Sequence, residues 1–401
     1  MNRFLFFVLL STQTAAGIRA EPVRISAWYW LNSAPRDEWE RDFRNMAGLG
    51  FTHVDLCWGL DLAAWRLRLD DTKYALAACR RAGLGAYLVV WQPTHNTLPR
   101  RPEFQQVDVL GRLRFSFDTF NSQWRETEWK DYLQTVAKLY AKDPAFAGYM
   151  FDDSFSIGPV KTIDGIGGKP GEDIVSYSQD DIRRFGRTPP HKPSDPGWSD
   201  WMAARAKWWG EWAQDTNRFI RAVDPNMQHE VYLEDSEWVR SQRAKEMTGL
   251  DFATVAKPFD AVGIYTVAHW DGKPDQDKRA AQQTQTVLRE TRDAVGPNKK
   301  IIYTFWVSNI DELNNPGPAK YPNTDQIRQI CEAALKMGIR HLDMYGYRIG
   351  DFVVTNETWA KKRPPATGPY PITGQYPHKH LYDRPELHDS LRTYLHSLNR
   401  H

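Results

Sequence analysis

Residues 39–56 read Trp-Glu-Arg-Asp-Phe-Arg-Asn-Met-Ala-Gly-Leu-Gly-Phe-Thr-His-Val-Asp-Leu. Trp39, Phe43 and Met46 recur at helical spacing, Gly48-Leu49-Gly50 interrupts the pattern, and Phe51 to Leu56 is a short apolar run of strand character. The glycines suit a helix end, where a left-handed residue stops the chain from winding further. A one-sided helix followed at once by a doubly buried strand is the repeating unit of a parallel sheet, because parallel neighbours need a crossover between them.

The unit recurs along the chain. Tyr74, Ala78 and Ala82 lead through Gly83-Leu84-Gly85 into Ala86 to Trp91. A helix over Trp124 to Ala141 stops at Asp143-Pro144 before Phe146 to Phe151. Another over Trp198 to Val223 stops at Asp224-Pro225 before His229 to Leu233. Phe259 to Tyr265, a polar helix near 275–295, and Lys300 to Phe305 follow. A helix over Thr324 to Met337 then stops at Gly338, before Ile339 to Tyr345. With Val23 to Trp30 at the start, eight strands are expected. Alternation with helices gives an α/β chain, and closure at eight gives a (β/α)8 barrel. The open doubly wound sheet is the competitor, but no G-x-G-x-x-G follows the first strand. Ser154 to Gly197, rich in Gly, Pro and charge, reads as a loop insertion over the barrel mouth. Lys361 to Tyr382 reads as a wrapping tail before a last helix, Pro385 to Leu398.

The chain has 401 residues, with 52 Lys+Arg against 50 Asp+Glu. Nucleic-acid binders draw affinity from clustered cationic charge, which this balance does not supply. Asn2-Arg3, the apolar run Phe4 to Leu10 and the small residues Ala15, Ala16, Gly17 and Ala20 read as a signal peptide over 1–20. A secreted or periplasmic protein is expected, a single barrel over 21–401 with no further membrane segment. Cys57, Cys79 and Cys331 form neither a disulfide framework nor a zinc spacing, and read as buried thiols. There are 17 tryptophans, many beside acidic or polar residues. Packing accounts for about half of them in this reading. The others suit a cleft for sugars, whose apolar C–H faces stack on flat rings.

In such a barrel the active site lies at the C-terminal ends of the strands. The polar and aromatic residues expected there are Trp28 and Trp30, then Asp55 and Trp58, then Trp91, Gln92 and His95. Later strands add Asp152 and Asp153, Glu234 and Asp235, Tyr265, His269 and Trp270, Trp306, and finally Asp343, Tyr345 and Arg348. The sharpest element is Gly148-Tyr149-Met150-Phe151-Asp152-Asp153, an apolar strand running into two acids. Adjacent strand residues point to opposite sides, so one acid faces the cleft. Asp152 is the favoured catalytic carboxylate, with Asp153 supporting it; the alternative is that both cap the following loop. Tyr232-Leu233-Glu234-Asp235-Ser236-Glu237 ends the next strand. Glycoside cleavage needs two carboxyl groups flanking the bond, and neighbouring strands can supply them. Glu234 is the acid/base choice, with Asp235 and Glu237 as rivals. Arg348 suits either a clamp on sugar hydroxyls or an ion pair closing the barrel. A metal-dependent hydrolase using His53, Asp55, His95, Asp152, His269 and Asp343 is a second reading, without H-x-H or H-E-x-x-H spacing to support it. A non-catalytic glycan-binding barrel is a third. No cofactor is expected.

On Phe151-Asp152-Asp153 and the barrel order, the chain resembles the barrel-shaped glycoside hydrolases. The resemblance implies a catalytic carboxylate at Asp152 or Asp153. It differs from the large clan of cellulases and β-galactosidases, which place Asn-Glu after strand four and Glu after strand seven. Here strand seven continues Tyr303-Thr304-Phe305-Trp306-Val307-Ser308, and Glu312 lies further along. The pairing of strands four and five resembles amylase-like barrels instead. The resulting expectation is a retaining glycosidase, with Asp152 attacking the anomeric carbon and Glu234 protonating the leaving oxygen. That requires carboxyl groups about 5–5.5 Å apart, against roughly 6.5–9.5 Å for inversion.

Overall fold

The first strand, β1 (Arg24–Trp30), alternates its side chains between two apolar environments. Ile25, Ala27 and Tyr29 join the large core outside the strand ring, while Trp28 and Trp30 join a smaller cluster within it. That alternation is what a closed parallel ring imposes, since every strand has a helix-facing and a lumen-facing side. The computed structural model describes residues 22–57, 65–66, 68–91, 101–152, 176–233, 245–246, 248–266, 275–307, 321–348 and 381–399.

Eight strands close the barrel: β1, β2 (His53–Cys57), β3 (Gly85–Trp91), β6 (Phe146–Asp152), β7 (Gln228–Leu233), β8 (Ala261–Thr266), β9 (Lys300–Trp306) and β10 (His341–Arg348). They pair in parallel in that order, and β10 returns to β1. The expected (β/α)8 architecture is therefore present, with strand bounds close to those read from sequence. Around it lie α1 (Trp39–Leu49), α2 (Leu69–Ala82), α3 (Lys130–Tyr140), α4 (Gln179–Phe185), α5 (Trp198–Arg221), α6 (Phe252–Ala256), α7 (Gln276–Val295), α8 (Thr324–Lys336) and α9 (His388–Leu398). Gly50 and Gly83 end α1 and α2 in the left-handed conformation. Asn323 opens α8 with a reciprocal capping box.

Three features depart from the sequence reading. Residues between β3 and α3 form an antiparallel hairpin, β4 (Gln105–Val107) and β5 (Leu113–Phe117). Strands of 3 and 5 residues are too short to declare themselves by alternation. The expected helix 124–141 opens with a π-helical turn at Arg125–Trp129. The expected loop 154–197 contains α4, started by a Ser178–Asp181 capping box. This return segment is fastened to the hairpin region. Tyr177 N–H donates to Val107 O at 3.1 Å, and Ser178 Oγ donates to Asp118 Oδ2 at 3.1 Å.

Trp39, Trp124, Trp129, Trp198, Trp201, Trp208, Trp209 and Trp212 are all buried in the outer core. Trp124, Trp129 and Trp212 stack in a row at centroid spacings of 5.5 and 6.3 Å. Among the described residues the outer core thus claims 8 tryptophans, and Trp28 and Trp30 are buried in the inner cluster. Cys57, Cys79 and Cys331 are buried and form no disulfide among the described residues. No helix among the described residues is long and apolar enough to cross a membrane. The expected signal segment 1–20 lies outside the described residues.

Two glycines give opposite expectations. Gly148 sits at φ 147°, and a Cβ there would lie 2.0 Å from Gln228 O on β7. Gly148→Ala should therefore lower stability by about 2–4 kcal/mol. Gly48 lies in α1 with open space around it. Gly48→Ala should raise stability by about 0.5–1 kcal/mol. Urea or thermal unfolding of the two variants measures both signs.

Candidate active site

The lumen-facing positions carry an unusual amount of polar chemistry. Ser26 and Trp28 on β1, Asp55 on β2, Tyr232 on β7, Thr304 on β9 and Asp343 on β10 are all buried there. Asp343 is the hub. Its Oδ1 accepts from Ser26 Oγ at 2.8 Å. Its Oδ2 accepts from Trp28 Nε1 at 2.8 Å, Thr304 Oγ1 at 2.8 Å and Tyr232 OH at 3.1 Å. Asp55 lies beside it, within hydrogen-bonding reach of Asp343 and of Ser26. Burial first, and then the Asp343 charge, push the Asp55 carboxyl well above the usual carboxylate range. A proton on Asp55, donated to Asp343, satisfies both acids.

Above this layer lie the side chains that form the mouth. Tyr345 contacts Trp28 edge-on at 5.1 Å and packs on Trp306 at 4.2 Å. Trp306 and Tyr345 are half-buried, whereas Trp28 and Trp30 are covered, each 2 % exposed. Trp28 is thereby a support for the ring that meets solvent. On β6, Tyr149 and Phe151 face the outer core and Met150 faces the lumen. Alternation then puts Asp152 on the lumen side at the strand's C-terminal end, 5 % exposed and paired in register with Trp91 of β3. The neighbouring strand β7 ends at Leu233, the residue before Glu234.

The sequence-predicted residues therefore divide. Asp152, Trp306 and Tyr345 stand at the mouth. Asp55 and Asp343 lie beneath it with no exposed surface, so they act on a ligand only through the side chains they hold. Trp91 and Tyr265 are placed by their strands, β3 and β8. Trp58, Gln92, His95, Asp153, Glu234, Asp235, His269 and Trp270 lie outside the described residues. Arg348 is committed to helix docking. Its Nη1 donates to Asp42 Oδ2 at 2.6 Å and Glu38 Oε2 at 2.8 Å, and its guanidinium lies 4.1 Å from the centre of the Tyr382 ring. Of the two readings of Arg348, the ion pair closing the barrel matches these contacts.

The opposite, N-terminal end of the lumen is also polar. Arg24 pairs with Glu230 at 3.1 Å and donates to Tyr87 OH. Burial lifts Glu230 to about 7, against the lowering effect of Arg24. Burial and the nearby Arg24 hold His53 down to about 3. His341, lowered by the same causes, contacts Ser26 Oγ through Nε2 at 3.0 Å. His53 thus sits at the end of the barrel away from Asp152, while His95 and His269 of the metal reading lie outside the described residues. Among the described residues no group of three or more His, Cys, Asp or Glu side chains is arranged to hold a metal. Sequence reasoning missed Arg24, Ser26, Glu230, Tyr232, Thr304 and His341 as a connected set. The available signal was polarity at every second position of the strands.

Replacing Asp343 by Ala leaves Ser26, Trp28, Tyr232 and Thr304 without their acceptor, each buried donor costing about 1–3 kcal/mol. Asp55→Asn keeps a donor toward Asp343 and should cost under about 1 kcal/mol. Equal losses in urea unfolding would contradict this order. Glu230 supplies a pH test. Its folded pKa of about 7 lies above the ordinary 4.5. Its contribution is therefore complete below pH 4.5 and lost as pH rises toward 7. Stability measured across that window should fall less steeply in Glu230→Gln.

No family model matches the sequence, and no characterised protein matches it in sequence. Solved structures do match in fold. The β-galactosidase of Rahnella sp. R3 aligns at TM-score 0.63 and 14 % identity, covering 96 % of this chain and 57 % of that one. The endo-1,4-β-D-mannanase of Thermotoga petrophila aligns at TM-score 0.53 and 10 % identity, covering 94 % and 99 %. GH5_18 from Streptomyces cattleya, in complex with Manβ1-4GlcNAc, aligns at TM-score 0.56 and 13 % identity, covering 94 % and 80 %. The chain spans a little over half the length of the galactosidases it matches. Galactosidases appear here although the chain lacks the strand-end Asn-Glu and Glu pattern noted for them. At these identities the likeness is one of fold: this chain is built on the (β/α)8 barrel that those glycoside hydrolases also use.

Proposed function

We propose that the chain is a glycoside hydrolase acting at the C-terminal mouth of the barrel. The observation that carries this reading is Asp152: a lumen-side carboxyl at the end of β6, beside β7, whose sequence runs directly into Glu234. If the alternation of Glu230 and Tyr232 is carried onward, Glu234 falls on the same side. Asp152 then attacks the anomeric carbon while Glu234 protonates the departing oxygen and later activates water. Asp153 supports Asp152, and Asp235 is the rival to Glu234 for the acid/base role. Trp306 and Tyr345 offer an aromatic face to a sugar ring, with Trp28 and Trp30 behind them. Trp58, Trp91, Gln92, His95, Tyr265, His269 and Trp270 complete the subsites from the surrounding strand ends. The 1–20 segment directs the protein out of the cytoplasm, where polymeric sugars are met.

The fold neighbours include β-galactosidases and a β-mannanase, so β-linked hexosides and mannans are the first substrates to try. Asp152→Asn and Glu234→Gln should each reduce kcat by at least about 10³-fold with unchanged thermal unfolding. Asp153→Asn should lower it less. The anomer first released, followed by NMR, assigns retention or inversion. Near-normal turnover in both principal variants removes the assignment, and saccharide binding without turnover by the unmodified protein replaces it with a glycan-binding barrel.

A further inference from the structure

The N-terminal end of the barrel holds a cavity of about 520 Å³, on the face opposite the mouth. In barrels of this type that end is a stability plug, filled mainly by bulky apolar side chains. Here its lining is strongly cationic. Arg24, Arg292, Lys299, Lys300 and Arg340 line it, against one carboxylate, Glu230. Two polar atoms on its walls are buried without a hydrogen-bond partner: the donor Arg292 Nε and the acceptor Glu230 Oε2. Arg292 is fixed by its other nitrogen, since Nη1 donates to Met337 O at 3.0 Å. Of the two, the guanidinium nitrogen is the one that calls for an acceptor, and beside a cationic cavity an anionic oxygen suits it.

The sign of the charge says what fits. Five cations around one carboxylate leave the cavity positive, and that carboxylate is largely protonated below neutral pH. Arg24 is released from Glu230 when the acid takes up its proton and keeps its bond to Tyr87 OH, its side chain 31 % exposed. Its neighbours His53 and His341 carry no competing charge near neutral pH. We propose that this cavity binds a small oxyanion, a phosphate or a compact carboxylate. In the complex, Arg24 and Arg292 hold the anion from within, and Arg340 and Lys300 hold it from the rim. The site is independent of the mouth and of the glycosidase reading.

Calorimetric titration of the full chain at pH 6 tests it, with inorganic phosphate, citrate and chloride compared at matched ionic strength. Saturable binding of phosphate or citrate, absent for chloride, is expected, and the tighter of the two names the source. Arg340→Gln combined with Lys300→Gln, two exposed positions, should weaken binding roughly tenfold or more. Glu230→Gln removes the carboxylate that competes for Arg24 and should tighten binding in a parallel titration at pH 8, where that acid is ionised, with little effect at pH 6. A cavity that is merely part of the barrel's ion pairing predicts no change in either variant. Equal heats from all three salts, or unaltered phosphate affinity in both variants, overturns the proposal. Circular dichroism confirms that each variant is folded before titration.

Discussion

One buried carboxylate ties the barrel interior together. Asp343 on β10 draws in side chains from β1, β7 and β9, and Asp55 reaches it from β2. The ring is closed by backbone pairing, but backbone pairing leaves the lumen to be filled. Apolar packing would fill it with little directionality. Asp343 fills it with bonds of fixed angle, and so sets the orientation of the Trp28 indole. Tyr345 rests on Trp28, and Trp306 rests on Tyr345. The shape of the mouth's aromatic face is therefore determined one layer below it. The arrangement requires one proton to remain between two acids in a site without solvent, which burial of Asp55 secures.

The outer face follows a different principle. Along α5, Trp201, Trp208, Trp209 and Trp212 are buried against rings from the barrel and from the segments before α3. Large rigid rings cover wide gaps at little rotamer cost, which suits a helix of 24 residues spanning beyond one strand. Arg205 is buried among them, its Nε donating to Thr248 O at 2.8 Å and its guanidinium 5.1 Å from the centre of the Phe120 ring. The tryptophans of this helix are thus the adhesive of the helical layer, and none of them is among those expected at the mouth.

How much of this was legible in the sequence depended on length scale. Helix stripes such as Trp39, Phe43 and Met46, with glycine stops after them, belong to long elements with a strong period, and they led to the barrel. The β4–β5 hairpin and α4 are too short for periodicity to rise above composition. Within the strands, residue type did not report depth. Asp55, Asp152 and Asp343 look alike as acids near strand ends. Depth depends on how each strand is staggered against its neighbours, as in Tyr345 facing Trp306 and Trp91 facing Asp152. Stagger is a property of pairs of strands far apart in sequence, and no single strand encodes it. Arg348 shows the same limit from the other side: its partners Asp42 and Glu38 lie more than 300 residues earlier.

The fastening between the β4–β5 region and the segment ahead of α4 has an evolutionary consequence. Tyr177 and Ser178 bind to Val107 and Asp118, so chain leaving β3 and chain returning from β6 share one seam. Neither stretch can be lengthened, shortened or transplanted alone without stranding polar groups of the other. Lineages that remodel this flank of the barrel would have to exchange the two stretches jointly, as a two-piece cassette. Recombination between distant barrels is then constrained at this flank even where the strands themselves are interchangeable.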